Sequence, residues 1–205
     1  MAYINGKNVL KCVYGGAAIP IDKAIIQYSN DGTDGLSYAG LSGGTMSCVS
    51  IGSATELDIF IASKFKGKTV TTIGESAFLN CRMLKSVIIP DTVKSIGVGA
   101  FSKCYMLERV GMPKNLTTIG DAAFYRCDSL TTLFIPKSVL SIGVSAFYGC
   151  SNLTKIKYSG TVALFKTRFG ADWYNNETWG NTSDALVIEC TDGIIDKSGN
   201  VTTLS

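Results

Sequence analysis

Hydrophobic residues recur along the middle of the chain with a period of 23 residues. Each period carries Ile-Gly, then Ala-Phe, Cys, Leu and two hydrophobic residues two positions apart, which are Val-x-Ile in the first period. Three of the four periods close with Pro. The recurring phenylalanines are Phe78, Phe101, Phe124 and Phe147. A fixed period of this length is typical of repeat proteins whose units stack on one another. The pattern therefore predicts a solenoid of four units over residues 73–164.

Each unit predicts one short strand and one turn. Val87 and Ile89 alternate with Ser86 and Ile88, which indicates a strand whose Val and Ile side chains point inward. Proline ends the strand, because it cannot donate to a ladder. The Ala-Phe-x-x-Cys-x-x-Leu spacing favours a short helical or 3₁₀ turn. Since one unit cannot bury its own apolar face, we expect a β-rich repeat solenoid with short parallel strands and an internal phenylalanine column.

Composition limits the possible functions. The 205-residue chain is 46% hydrophobic and 17% charged, which suits a folded domain or short array rather than a disordered chain. It contains no histidine, so histidine-dependent triads and histidine-ligated zinc sites are excluded. No apolar run is long enough for a bilayer span. The net charge of +3 predicts neither a nucleic-acid partner nor membrane insertion. Residues 64–160 are nevertheless basic, with 13 Lys or Arg against 5 Asp or Glu.

The cysteine spacing leaves two interpretations open. Four of the seven cysteines, Cys81, Cys104, Cys127 and Cys150, stand 23 residues apart and occupy one slot of the repeat. They are predicted to be small buried hydrophobic residues. The alternative is a cross-turn disulfide, because neighbouring turns of a solenoid lie within bridging distance. Nothing in the pattern assigns a state to Cys12, Cys48 or Cys190.

No motif predicts catalysis. The segment from Ala62 to Thr69 misses a P-loop by one glycine, and Val70–Gly74 opens a repeat where a P-loop requires a helix. The few acidic residues of the array do not recur at neighbouring inward positions, so they predict solvated surface rather than an acid/base pair. A cysteine nucleophile would have no histidine to activate it. We expect no enzyme activity, no metal site and no cofactor.

The repeat consensus resembles that of the BspA-like family of bacterial leucine-rich repeats, from Ile73 to about Leu164. Residues 35–72 and 165–205, with Trp173 and Trp179, resemble that family's N-terminal and C-terminal caps. Residues 1–34 match no repeat column and predict a separate head or docking segment. Its opening residues, Ala2 to Lys7, weakly resemble the openings of some phage tail proteins. The chain is thus predicted to have a head (1–34), an N-terminal cap (35–72), four repeats (73–164) and a C-terminal cap (165–205).

A ligand site is predicted on the outward side of the strand ladder. Side chains there can vary without disturbing the core. The outward positions include Ser86, Gly111 and Thr132, but the side chains predicted to bind a ligand are an apolar anchor with a basic rim: Ile88, Arg109, Phe134, Lys155 and Lys157. Tyr105 and Met106, on the turn side of the unit, form a second and weaker candidate.

Two functions from different classes follow. The resemblance implies a non-catalytic binding or adhesion module that recognises a protein or glycan, because BspA-like proteins are generally surface proteins. The alternative is a structural or receptor-binding component of a phage, virion or other large assembly, docked through residues 1–34. The first residues lack the basic and apolar segments of a secretory signal. The expected location is extracellular, on a cell surface or on a virion.

Overall fold

The fold is known from a computed structural model of the chain. It describes residues 2–4, 7–9, 32–33, 35–50, 57–170, 177–180 and 182–204. The predicted head, Cys12 and Trp173 lie largely or wholly outside these residues. Within them, β1 and β2 pair as a separate antiparallel hairpin. The strands of the chain, in order, are β1 Ala2–Ile4, β2 Lys7–Val9, β3 Ser37–Gly40, β4 Met46–Ser50, β5 Asp58–Phe60, β6 Lys64–Phe65, β7 Lys68–Ile73, β8 Ser86–Ile88, β9 Ser95–Ile96, β10 Arg109–Gly111, β11 Thr118–Ile119, β12 Thr132–Ile135, β13 Ser141–Ile142, β14 Lys155–Tyr158, β15 Val187–Glu189, β16 Gly193–Asp196 and β17 Val201–Thr203.

The solenoid is built from two rows of parallel strands. The first row, which we call the strand face, runs through β5, β8 and β10 and continues beside β10 with β12, β14 and β15. The second row runs through β4, β7, β9, β11 and β13. Partners in both rows are 23 residues apart in the repeats, as in the pairing of Val87 with Val110. The parallel solenoid is confirmed, and the second row, whose strands are two residues long in the repeats, is an addition to the prediction.

The segment that links the second row back to the strand face forms an arc of tight turns, which we call the turn arc. Within one coil, the N–H groups of Leu79 and Cys81 bond to the carbonyls three residues earlier. The N–H groups of Phe78 and Asn80 instead reach the carbonyls of Ala100 and Ser102 in the next coil. The predicted 3₁₀-like turn therefore also carries a hydrogen-bonded ladder between coils.

The core is a stack of identical side chains. The rings of Phe78, Phe101, Phe124 and Phe147 are fully buried and nearly parallel, with centroids 5.0, 5.2 and 5.7 Å apart. Trp179, from the 3₁₀ helix Glu177–Trp179, extends the stack with its centroid 4.9 Å from Phe147. Stacked aromatic pairs contribute about 0.5–1.5 kcal/mol beyond their area burial. The predicted phenylalanine column is confirmed; the capping role predicted for the two flanks stays a prediction.

The six described cysteines are free thiols, which favours the first of the two interpretations. Each of Cys104, Cys127 and Cys150 donates its thiol hydrogen to a phenylalanine carbonyl of the preceding coil, at 3.1–3.2 Å. Burial and the neighbouring thiols raise the pKa of Cys127 well above its ordinary value. Cys81, half-buried at the first coil, has a lowered pKa because of its hydrogen bond with Cys104. The buried thiols of Cys104 and Cys127 therefore stay protonated and have a structural role.

One helix follows the last repeat. Helix α1, Val162–Phe169, begins at the N-cap Thr161, whose hydroxyl accepts from the Leu164 N–H at 3.2 Å. It ends at Gly170 and buries Phe165 against Tyr158, with ring centroids 5.3 Å apart. Its span crosses the predicted boundary at residue 164, so the last predicted repeat and the C-terminal segment share one element.

Candidate functional site

The strand face presents two columns of outward side chains, because alternate residues of each strand point away from the core. Val87, Ile89 and Ile156 are fully buried, which confirms the predicted register. One outward column contains Asp58, Ser86, Arg109, Thr132, Lys155 and Val187. The other contains Phe60, Ile88, Gly111, Phe134, Lys157 and Glu189.

Two of the outward positions predicted from the sequence are not free surface, and Phe60 in the second column is also buried. Ser86 is only 4% exposed, because its hydroxyl donates to the Asp58 carboxylate and Arg109 lies beside it. Gly111 is also buried, since it lies against the side chain of Ile88 on the adjacent strand. The expectation that both are exposed is wrong. It failed because strand alternation gives the direction of a side chain and not what its neighbours cover.

Ion pairs occupy two of the five predicted ligand-binding residues. The Nη1 atom of Arg109 lies 3.1 Å from the Oε2 atom of Glu108, and its Nη2 atom lies 3.7 Å from the Oδ1 atom of Asp58. Lys155 lies 3.0 Å from Glu189. Ile88 is half-buried beside Gly111. The roles of these residues in ligand binding stay predictions, and at Arg109 and Lys155 a ligand would compete with a carboxylate of the same chain.

Phe134 and Lys157 are the two predicted residues that the fold leaves most open. They are direct partners in the parallel pair of β12 and β14. Phe134 is 36% exposed, and Lys157 is exposed and makes no ion pair with the part of the chain that the structure describes. The structure therefore brings together an aromatic side chain and a free ammonium group, and their role in ligand binding stays a prediction.

Phe134 also forms a wall of an open hollow of about 510 Å³ between the strand face and α1. The apolar lining is completed by Pro136 and Leu164, the basic lining by Lys114, Lys137 and Arg168, and the polar lining by Asn115, Ser138 and Ser159. Sequence reasoning missed this hollow. The signal that could have indicated it is Ser159, which replaces the recurring proline. Its N–H donates to the Ile135 carbonyl and its hydroxyl accepts from the Lys137 N–H, and neither bond is open to a proline.

The basic groups around the hollow differ in how freely they could meet a ligand. Arg168 is engaged by the protein, since its guanidinium donates to the Lys137 carbonyl and, at 3.0 Å, to the Val139 carbonyl. Lys114 lies 3.5 Å from Asp91. Lys137 is exposed and forms no ion pair within the described residues. The hollow thus combines an apolar wall with a free ammonium group.

Two kinds of site considered from the sequence, a metal site and a phosphate-binding loop, can be compared with the described residues. No three Asp, Glu or Cys side chains among them lie close enough to hold a metal ion. The near P-loop from Ala62 to Thr69 forms the antiparallel hairpin of β6 and β7, so no helix follows Thr69 to bind phosphate. No helix in the described segments is long and apolar enough to span a bilayer.

The fold is shared with solved bacterial repeat proteins. A leucine-rich repeat protein from Bacteroides capillosus ATCC 29799 is 27% identical, with a TM-score of 0.54, over 62% of this chain and 95% of that protein. One from Bacteroides ovatus ATCC 8483 is 25% identical, with a TM-score of 0.54, over 77% of this chain and 36% of that protein. A leucine-rich cell surface protein from Faecalibacterium prausnitzii A2-165 is 20% identical, with a TM-score of 0.50, over 80% of this chain and 50% of that protein.

A comparison with curated proteins finds no match to this chain. The BspA type leucine-rich repeat region matches residues 61–172 in six copies, which is more than half of the chain. The matched range begins before the four units that the sequence predicts and ends beyond α1. With the stacked coils and the phenylalanine column, this match shows that the chain belongs to the BspA-type leucine-rich repeat family.

Proposed function

We propose that this chain is a non-catalytic binding module that recognises a protein or glycan through its strand face. The observation that carries the proposal is Phe134, an exposed aromatic side chain beside Lys157 at the mouth of the hollow. Buried aromatic anchors surrounded by polar groups dominate the energetics of recognition surfaces. Ile88, Arg109 and Lys155 extend the same surface toward the neighbouring coils.

Display on a cell surface belongs to the same proposal. It is supported by membership of the BspA-type family and by the similarity in fold to a protein described as a cell surface protein. The groups that the proposed site leaves open are the aromatic ring of Phe134 and the ammonium group of Lys157, which suit binding. Adhesion to a host or bacterial surface is the finer form of this proposal.

The experiment is a binding assay on a glycan array and a panel of immobilised extracellular matrix proteins. The test variant Phe134→Asp/Lys157→Glu removes the anchor and reverses the free charge. We expect it to weaken binding by at least about tenfold, since truncating a central anchor costs about 2 kcal/mol or more.

A matched control is Leu140→Asp/Lys94→Glu, because Leu140 is 63% exposed and Lys94 is exposed, both beside the second row of strands. This variant introduces the same charges and should bind like the parent chain. Equal binding by the test variant and its control, or no bound component on either panel, would contradict the proposal.

The alternative, a component of a virion or other assembly, is supported by β1 and β2, which form a sheet separate from the solenoid among the described strands. Deleting residues 1–34 discriminates the two functions. Loss of particle association with ligand binding intact would favour the assembly component. If the deletion changes neither particle association nor ligand binding, the strand-face proposal is the better account.

A further inference from the structure

The turn arc carries a second surface that the strand-face proposal does not use. On it, the ring of Tyr105 lies near two guanidinium groups. The Arg82 Cζ atom is 5.6 Å and the Arg126 Cζ atom is 5.5 Å from the ring centroid. Both arginines are exposed and Tyr105 is half-buried. At this distance the ring face attracts each guanidinium group and orients it without neutralising its charge. We call Arg82, Tyr105 and Arg126 the arginine–tyrosine patch.

The two guanidinium groups are held in place from several sides. The Nε of Arg82 donates to the Asn80 side-chain oxygen at 2.9 Å. The Nη2 atom of Arg126 lies 3.7 Å from the Oδ2 atom of Asp128. A Cβ at Gly149 would lie 2.9 Å from the Cγ of Arg126, so the absence of a side chain at this position makes room for the arginine stem. Fixing long side chains before binding reduces the entropy that a ligand must offset.

Apolar and aromatic side chains stand next to the patch residues in the sequence of the turn arc, with Met83 after Arg82 and Tyr125 before Arg126. Met83 is 59% exposed and Leu79 is 48% exposed. The rings of Tyr125 and Tyr148 on the same arc stack on each other, with centroids 5.6 Å apart and planes 7° apart. Arginine, tyrosine and methionine are the side chains enriched in protein–protein interfaces. These side chains therefore resemble the composition of a recognition surface for a polypeptide.

The charge of this surface is unbalanced. Arg82 and Lys103 are exposed and make no ion pair with any described residue. Arg126 has one acidic neighbour, Asp128, whose side chain is 34% exposed. The turn arc as a whole carries four basic and four acidic side chains, but the arginine–tyrosine patch with Lys103 has three basic groups against Asp128. The patch is therefore locally positive, and an acidic partner would complement it.

We propose that the arginine–tyrosine patch binds an acidic polypeptide segment that also carries apolar side chains. Acidic side chains would pair with the two guanidiniums, and apolar side chains would cover Met83 and Leu79. A glycan lacks apolar side chains of this kind, so the exposed methionine and leucine favour a polypeptide. The inference stands independently of the strand-face proposal, because it concerns different residues on another side of the coil.

The test begins with the full chain as bait for a displayed library of random peptides about 12 residues long. Enriched peptides are synthesised with a fluorescent label, and their affinity is measured by anisotropy. We expect them to combine Asp or Glu with aromatic or aliphatic residues. We expect Arg82→Glu/Arg126→Glu to weaken binding at least about tenfold. We expect Tyr105→Ala also to weaken binding at least about tenfold, as the truncation of a hot-spot residue does. Raising the salt from about 50 to about 300 mM should also weaken it.

The matched control is Lys64→Glu/Lys68→Glu, which makes the same change in net charge at exposed positions of the β6–β7 hairpin. It should change affinity less than about twofold, since it removes only distant charge. Arg82→Gln/Arg126→Gln, with thermal melting of each variant, separates lost recognition from lost folding. No enriched peptide, enriched peptides without acidic residues, or equal loss in test and control variants would overturn the proposal. Arginine-dependent binding of heparin or polygalacturonate without peptide binding would also overturn it, and would assign the patch to anionic glycans.

Discussion

The strand face and the turn arc hold their basic side chains in different ways. On the strand face, Arg109 and Lys155 lie against carboxylates of the same chain. On the turn arc, Arg82 and Arg126 lie near the ring of Tyr105, and Arg82 has no acidic partner among the described residues. An ion pair neutralises a cation, whereas an aromatic ring orients it and leaves its charge. Arg126 also lies near Asp128, so the contrast rests on Arg82, which the turn arc offers to an external anion more readily than the strand face offers Arg109 or Lys155.

The largest expected effect comes from the core beneath the turn arc. Phe101→Ala removes a fully buried ring stacked between Phe78 and Phe124. It should lower the free energy of unfolding by about 3–5 kcal/mol, as large-to-small core substitutions do. Urea denaturation measures this change. Lys103→Ala on the exposed side of the same turn should stay within about 0.5 kcal/mol of the parent. Equal effects for the two variants would show that the arc has the opposite register.

A smaller effect should follow from widening the seam between adjacent coils. A Cβ at Gly120 would lie 2.8 Å from the carbonyl carbon of Gly97, so Gly120→Ala forces the backbones apart. We expect a loss of about 1–3 kcal/mol in the free energy of unfolding, the usual cost of overpacking. Gly40→Ala is the control, because a Cβ there meets no atom within 4 Å. A stable Gly120→Ala variant would mean that the coils are not in contact at this corner.

The smallest effect is expected on the strand face. Glu189→Gln removes the ion pair between Glu189 and Lys155. The Glu189 side chain is 34% exposed and the Lys155 side chain is 42% exposed. Exposed pairs contribute about 0–1 kcal/mol, so thermal melting should shift little, and less at high salt. The variant should instead increase binding of an anionic ligand to the strand face, since it frees Lys155. A large loss of stability would show that the pair is part of the fold and not a feature of the binding surface.

The repeat architecture could be predicted from sequence because it depends on local spacing. The alternation of Val87 and Ile89 with their neighbours gave the correct inward side, and the recurrence of Phe101 gave the aromatic stack. The second row was not predicted, because strands of two residues such as Ser95–Ile96 are too short to show alternation. Asp58 covers Ser86 although the two residues are 28 positions apart and lie in different coils. The pattern of a single repeat therefore does not indicate this contact.

The sequence alone determined the solenoid, its register and its stacked core, because a side chain repeated every 23 residues must meet its equivalent in the next coil. The tertiary structure alone decided which surface residues are available. The hollow exists because α1 folds back until Arg168 reaches the Val139 carbonyl, and Lys155 is neutralised because β15 brings Glu189 beside it. Neither contact repeats along the chain, so periodicity carries no information about either.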